Sequence, residues 1–404
     1  MAEALQGIKV IDLSRILAGP WASQMLADMG AQVIKVEQPV KGDDTRFWGP
    51  PFIKEQSDSQ PPQSAYFHCV NRNKQSIAID IRHESGQKII QELISTADVV
   101  IENFKVGGLI KYGLDYPALK KLNPNLVYCS ITGFGQTGPA SNRAGYDAMI
   151  QAEGGLMSIT GEVNGEPMKV GVALADVMTG LYSCNAILAA LLARNHTNKG
   201  QYIDIALLDV QAATLANQGM NYLATGENPK RRGNGHPNIV PYQTFKTADG
   251  DIILAIGNDT QYRKFCELAG RPELADNPNY VVNEQRVLNR AALIPLVAEC
   301  MAGHTTDWWV ESLRARGVPC GRVNTLEQVF NHDQIKHRNL VREVPDSNGK
   351  LIKTIASPIN LSETPLQYNS ASPDLSQHGA TILSDDLGYS DDKIKQLIKG
   401  GIVG

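Results

Sequence analysis

The pattern of apolar and polar positions divides the chain into stretches of different period. Residues 8–13 (I-K-V-I-D-L), 32–36 (Q-V-I-K-V), 76–81, 99–101 and 126–131 (L-V-Y-C-S-I) are short and mostly apolar, and they read as strands. Between the first two, Pro20 sits where a helix would begin, its fixed φ suiting a first helical position, and the helix runs to about residue 29. Ile89, Ile90, Leu93 and Ile94 recur at helical spacing after the third strand. Strands separated by helices of this length predict parallel βαβ units and a doubly wound sheet. Residues 42–65 carry no period and are rich in Pro, Gly, Asp, Ser and Gln, which predicts a surface excursion.

From 145 to 225 the pattern is mainly helical. It changes near Gln243, where residues 244–246 and 252–256 flank Asp249-Gly250, a hairpin signal. Helices are predicted at about 261–268 and 290–301, and a second hairpin at 340–356 around Asn348-Gly349. The expected organisation is a large α/β domain at 1–225, completed by 330–404, and a smaller α+β domain at 228–325.

At 404 residues the chain is too long for one ordinary core. Hydrophobic residues are 42% and charged residues 20%, a globular composition. The formal charge is -4 and no Lys/Arg run stands out, so nothing argues for nucleic acid or an anionic membrane as partner. An anionic ligand would be met by a few local cations. Six cysteines with no CxxC pair read as reduced thiols, which suits the cytoplasm. Residues 1–7 lack a basic start and an apolar run, so no signal peptide is expected. The apolar stretch 181–193 falls short of the roughly 20 residues of a membrane span and reads as a buried helix.

The loop Arg15-Ile16-Leu17-Ala18-Gly19-Pro20 leaves the first strand at its carboxyl end, the edge where open α/β sheets bind ligands. It is also an ordinary βα turn. No GxGxxG fingerprint follows, which weakens a dinucleotide reading, and neither a P-loop nor a GxSxG elbow is present. Asp176 sits in V-G-V-A-L-A-D-V-M-T-G-L-Y, just before a strong helical pattern. At such a position an Asp usually caps the helix; an ionised carboxylate can also attack an activated acyl group such as a thioester. Gly257-Asn258-Asp259 reads as a turn or as a flap of small polar residues. The eight histidines show no metal-ligand spacing, so no metal site is expected.

Together the segments G-I-K-V-I-D-L-S-R-I-L-A-G-P (7–20), G-A-Q-V-I-K-V-E (30–37), N-R-N-K-Q-S-I-A-I-D (71–80) and A-D-V-V-I-E-N-F (97–104) resemble the class III CoA-transferases. So do S-I-T-G-F-G-Q-T-G-P (130–139), R-A-G-Y-D-A (143–148) and G-V-A-L-A-D-V-M-T-G-L-Y (171–182). The stretches G-D-D-T-R-F-W-G-P-P-F (42–52) and I-V-P-Y-Q-T-F-K-T (239–247) look most like the succinate–hydroxymethylglutarate (glutarate) branch.

The resemblance implies a Rossmann-like large domain, a small domain and an interlocked homodimer. It implies Asp176 as nucleophile, with coenzyme A entering as acyl-CoA. It places the CoA site at Leu17, Ala18, Ile79, Asp80, Ile81, Arg82, Asn103, Phe104, Lys105, Lys111, Arg143, Tyr146 and Asp147. Gly257, Asn258 and Asp259 would form the flap. Formyl-CoA transferase has Gln where this chain has Leu17, and Arg where it has Gln38, which disfavours oxalate and removes one cation from the nucleotide end. A distal substrate carboxylate needs a cation, for which Arg46 and Lys169 are the candidates. Two rival readings are an α-methylacyl-CoA racemase and a non-catalytic CoA-binding module. The racemase motif G-H-D is here G-Y-D, and Tyr146, with a pKa near 10, is a poor base at neutral pH.

Overall fold

The structure, a computed structural model, describes residues 3–54, 56–57 and 60–404. The chain forms two compact units. The first comprises Met1–Gly154, Gly171–Thr214 and Asp333–Gly404; the second comprises Gly155–Val170 and Leu215–His332. The stretch expected as the small domain, 228–325, lies inside the second unit, which also takes Gly155–Val170.

The first unit is organised by a six-stranded sheet of β1 (Lys9–Asp12), β2 (Gln32–Glu37), β3 (Gln75–Ala78), β4 (Val99–Glu102), β5 (Val127–Thr132) and β6 (Tyr202–Ala206). The order is β3-β2-β1-β4-β5-β6 and every pairing is parallel. This is the doubly wound order, whose direction of winding reverses between β1 and β4.

Adjacent residues of each central strand enter different cores. Ile11, Ile34, Ile77 and Val100 pack with Ile90 and Leu93 of α2 (Glu84–Ser95) and with Ile382 and Leu397 near the chain end. Val10, Val33, Val99 and Val127 pack on the other face with Leu26 of α1 (Ala18–Asp28) and Ile187 of α4 (Leu174–Thr197). Burial on both faces explains why these strands read as nearly continuous apolar runs. The free edge of β3 is covered by the C-terminal tail: the Asp80 N–H donates to the Ile402 carbonyl at 2.9 Å, and the Gly404 N–H to that of Ala78 at 3.2 Å.

Two expectations need correction. The α4 helix has 24 residues and by length and composition alone passes as a membrane span. One face, with Thr179, Cys184, Ile187 and Leu191, is buried, while Tyr182 and Leu192 are exposed, so it is a half-buried helix. The excursion at 42–65 is not all surface. It holds a 3-10 turn (Asp44–Phe47) and a short hairpin (Phe52–Lys54 with Gln63–Ser64), and Thr45, Arg46, Gln63 and Ser64 are buried.

The second unit carries an antiparallel sheet of β7 (Tyr242–Lys246), β8 (Asp251–Ala255) and β9 (Cys320–Arg322) in the order β9-β8-β7. The β7–β8 hairpin turns at Asp249-Gly250 as the sequence predicts. Its core gathers Phe245, Leu254, Tyr262, Phe265, Leu293, Val297, Trp309 and Leu313.

Candidate active site

The loops after β1 and β4 part at the point where the sheet reverses. The Leu13 N–H donates to the Ile101 carbonyl at 2.8 Å. One turn later Asn103 brackets Arg15, accepting its N–H at 2.9 Å and donating to its carbonyl at 2.8 Å. Ile16 is held at φ 72°, a conformation that costs a β-branched residue roughly 1–2 kcal/mol and persists only where the surroundings fix it. Here they do: Asn103 fixes Arg15, and the buried Asp43 carboxylate accepts the Ile16 N–H at 3.4 Å. The strained turn delivers Leu17 and Ala18, both buried, to the start of α1.

Beside this turn lies a cleft of about 270 Å³. Ile79, Asp80, Ile81, Arg82 and Phe104 line it together with Arg15. Arg15 and Arg82 are exposed and each is paired with a carboxylate, Asp44 at 2.6 Å and Asp80 at 2.8 Å. Lys105 and Lys111 are exposed and make no ion pair among the described residues; the Lys111 ammonium stands 4.7 Å from the ring of Tyr112, which also lines the cleft. Leu17, Ala18, Asn103, Lys105, Lys111, Arg143, Tyr146 and Asp147 are not among the residues lining it. Arg143 pairs with Glu153 at 2.5 Å and lies over the Phe134 ring, and Tyr146 is 66% exposed.

Beneath the cleft runs a buried polar network that sequence reasoning missed. Lys74 reaches Asp12 at 3.1 Å, and Lys35 reaches Asp43 at 2.8 Å. Arg46 forks onto Glu37 at 2.8 and 2.7 Å, donates to the Pro373 carbonyl and lies 3.8 Å over the Phe67 ring. Burial alone would raise the Glu37 carboxyl, but Arg46 and then Lys35 hold it down at about 2. Burial lowers the Lys74 ammonium to about 8 against the pull of Asp12. Arg46 is therefore fully enclosed, with Nε and Nη2 on Glu37 and Nη1 without a hydrogen-bond partner among the described residues, an environment unlike the open place expected of it at a substrate carboxylate. The one local signal is a lysine inside each apolar strand context, Lys35 in Q-V-I-K-V-E and Lys74 just before β3.

Asp176 lies in the first turn of α4, but it does not cap the helix. Ala173 holds the N-cap position without a side-chain bond. Asp147, at the start of α3 (Asp147–Glu153), accepts the N–H groups of Ala175 at 2.8 Å and Asp176 at 3.3 Å instead. Its other oxygen accepts from Gln151 at 2.8 Å. The Asp176 carboxyl makes no hydrogen bond among the described residues. Burial, followed by the like charge of Asp147, raises it to about 7. The Tyr66 hydroxyl feels the Asp176 charge and is itself raised, chiefly by burial. Four residues on, Gly180 lets α4 cross α1 closely: a Cβ there would stand 2.8 Å from the Ala18 carbonyl oxygen. Asp176 is on the same helix face one turn nearer the helix start.

In the second unit Asn258 caps the helix Asp259–Leu268, accepting the Gln261 N–H at 2.9 Å. The Gly257 N–H donates to the Gln261 side chain at 2.8 Å, and Asp259 is held by the buried Arg286 at 2.7 Å. Lys169 is exposed, its ammonium 3.3 Å from the Val170 carbonyl. Among the described residues no group of three His, Cys, Asp or Glu side chains is placed to hold a metal.

Comparison with known proteins places this geometry. A family model described as CoA-transferase family III matches residues 5–379. A succinate–glutarate CoA-transferase of Agrobacterium fabrum is 50% identical over 385 residues, 94% of this chain and 95% of that protein. A succinyl-CoA:glutarate CoA-transferase of Homo sapiens is 43% identical over 399 residues, 99% of this chain and 90% of that protein. The crystal structure of a CAIB/BAIF family protein from Brucella suis superposes with a TM-score of 0.84 at 51% identity, covering 96% of this chain and all of that one. The chain belongs to CoA-transferase family III and is an enzyme that transfers CoA from thioester substrates.

Proposed function

Starting from that membership, we propose that the enzyme carries CoA from succinyl-CoA or glutaryl-CoA to a dicarboxylate acceptor, with Asp176 as the nucleophile. The observation that carries the mechanism is the state of Asp176: its helix is capped by another residue, Asp147, and its own carboxyl is desolvated and free of hydrogen bonds among the described residues. A poorly solvated carboxylate at a helix N-terminus is reactive yet still favoured by the backbone dipole. The acids follow from the names of the relatives, which act on succinate and glutarate or their CoA esters.

The reaction proceeds in four exchanges. The Asp176 carboxylate attacks the thioester carbonyl, giving a mixed anhydride and CoA thiolate. The thiolate attacks the aspartyl carbonyl, releasing the donor acid and leaving an aspartyl-CoA thioester. The acceptor carboxylate then attacks that thioester, giving a second mixed anhydride and CoA thiolate, and the thiolate attacks the acceptor's carbonyl, forming the new acyl-CoA and restoring Asp176. Over the four exchanges one thioester replaces another, so bond energy is nearly conserved overall, and the protein's task is to position groups and exclude water around the high-energy anhydrides. The cleft lined by Ile79, Asp80, Ile81, Arg82 and Phe104 takes the CoA moiety, its phosphates displacing Asp80 and Asp44 from Arg82 and Arg15. Asn103 holds its wall. Lys105 and Lys111 add positive charge, while Leu17, Ala18, Arg143, Tyr146 and Asp147 serve the acyl end. Arg46 is enclosed, so another cation meets the distal carboxylate. A second copy of the chain covers the apolar outer face of α4, at Tyr182 and Leu192, in an interlocked homodimer. Six free thiols suit a cytoplasmic setting.

The test is a panel of acceptors assayed with succinyl-CoA. A charge-assisted bond to the distal carboxylate makes glutarate about ten- to a hundredfold better in kcat/KM than butyrate or valerate. Equal rates for diacids and monoacids would remove the dicarboxylate reading.

A further inference from the structure

Among the described residues of the first unit five carboxylates are buried: Asp12, Asp28, Glu37, Asp43 and Glu102. Four have a cation, namely Lys74, Arg72, Arg46 and Lys35 in that order. Glu102, the last residue of β4, has none among the described residues. An unpaired buried acid is costly and persists where its hydrogen bonds serve a purpose. Glu102 accepts the N–H of Phe104 at 2.8 Å and is bonded on its other oxygen by the Ser130 hydroxyl, its neighbour across β4 and β5. Ser130 is braced in turn by the Gln136 amide at 2.7 Å. Phe104 is a wall of the cleft, and the intervening Asn103 brackets Arg15, another lining residue.

We propose that Glu102 is a positioning residue of the CoA cleft: its carboxyl, backed by Ser130 and Gln136, fixes the Asn103–Phe104 backbone against which the nucleotide end of acyl-CoA is bound. The inference rests on the reading of the cleft as the CoA site. Burial raises the Glu102 carboxyl to about 7, with only the Ser130 and Phe104 bonds opposing it. The titratable side chains around it, Tyr128, Cys129 and Tyr202, are all neutral at pH 7, so no cation compels it to ionise. A neutral amide can therefore take its place, its carbonyl accepting the Phe104 N–H and its NH2 donating to Ser130.

The experiment compares Glu102→Ala, Glu102→Gln and Phe104→Ala by steady-state kinetics and by calorimetric titration with free CoA. Glu102→Ala is expected to raise KM for succinyl-CoA and Kd for CoA about tenfold, with kcat within about twofold, and Glu102→Gln to restore both to within about twofold. Should Glu102→Ala fail to fold, Glu102→Leu keeps the buried volume and carries the same test. A change in KM below twofold, or a fall in kcat without a change in KM, overturns the proposal. Phe104→Ala tells the two failures apart. If it leaves CoA affinity unchanged, the cleft reading falls and the proposal with it; if it weakens CoA while Glu102→Ala does not, only the role of Glu102 falls.

Discussion

The two units bury different things. The second closes over aromatic and aliphatic side chains around Trp309 and Phe265, and the one charged side chain it encloses, Arg286, is spent on the carbonyls of Val240 and Tyr280 and on Asp259. The first unit buries acids and cations together, beneath the loops at the carboxyl edge of its sheet. Desolvating charge is expensive, and a paired ion inside a protein is weak evidence for added stability. The contrast teaches where the first unit spends its stability. Paired acids hold the Ile16 turn and the 3-10 turn behind it in one shape, while Asp176 and Glu102, without a cation among the described residues, stand beside the loops proposed to meet substrate.

The largest effect should come from splitting a buried pair. Arg46→Ala leaves Glu37 charged and enclosed, and is expected to cost about 3–5 kcal/mol in urea unfolding. Leu254→Ala in the second unit removes only apolar contacts, for about 2–5 kcal/mol. The comparison sharpens in the acid panel, since Arg46→Ala should leave the ratio of glutarate to valerate rates unchanged. An Arg46→Ala enzyme as stable as wild type that has lost its diacid preference would return Arg46 to the substrate and break the comparison.

A smaller effect separates the two causes acting on Asp176. As the proposed nucleophile, Asp176 attacks only when ionised, so kcat/KM should rise with pH through an apparent pKa near the raised value of about 7 and level off above it. Asp147→Asn removes the like charge but leaves burial, the larger cause. The acid limb of the pH profile should therefore move to lower pH, by less than about one unit. The stability sign is opposite to that of a paired acid. Because the folded pKa is raised above the unfolded one, Asp176 favours folding fully at low pH, and that contribution is lost as pH rises through about 7. An acid limb that Asp147→Asn leaves in place would mean that the Asp147 charge does not reach Asp176.

The strands of the first unit were readable because each central one is buried on both faces and so lacks polar interruption. β6 was not: Tyr202 is exposed, Asp204 accepts from the Gln136 backbone, and the strand sits in a stretch of helical pattern. The family motif pointed to Asp176 as the proposed nucleophile, while its local context suggested a cap. The true cap, Asp147, comes from 29 residues earlier, a distance no helix-start rule covers. The Arg46 pairing was hidden for a related reason. Its partner, Glu37, lies nine residues back at the end of β2, and a pair closed by a turn leaves no periodic trace. Glu102 was visible only as the first letter of E-N-F; its lack of a cation is a fact of packing.

The most direct test of the account is to trap the aspartyl intermediate. Wild-type enzyme is incubated with succinyl-CoA without acceptor, treated with hydroxylamine, and digested for peptide mass analysis. The account predicts a hydroxamate on Asp176 with parallel loss of activity, and neither modification nor more than about a thousandth of wild-type turnover in Asp176→Ala. Full turnover by Asp176→Ala, or a trapped acyl group on any other residue, would contradict it.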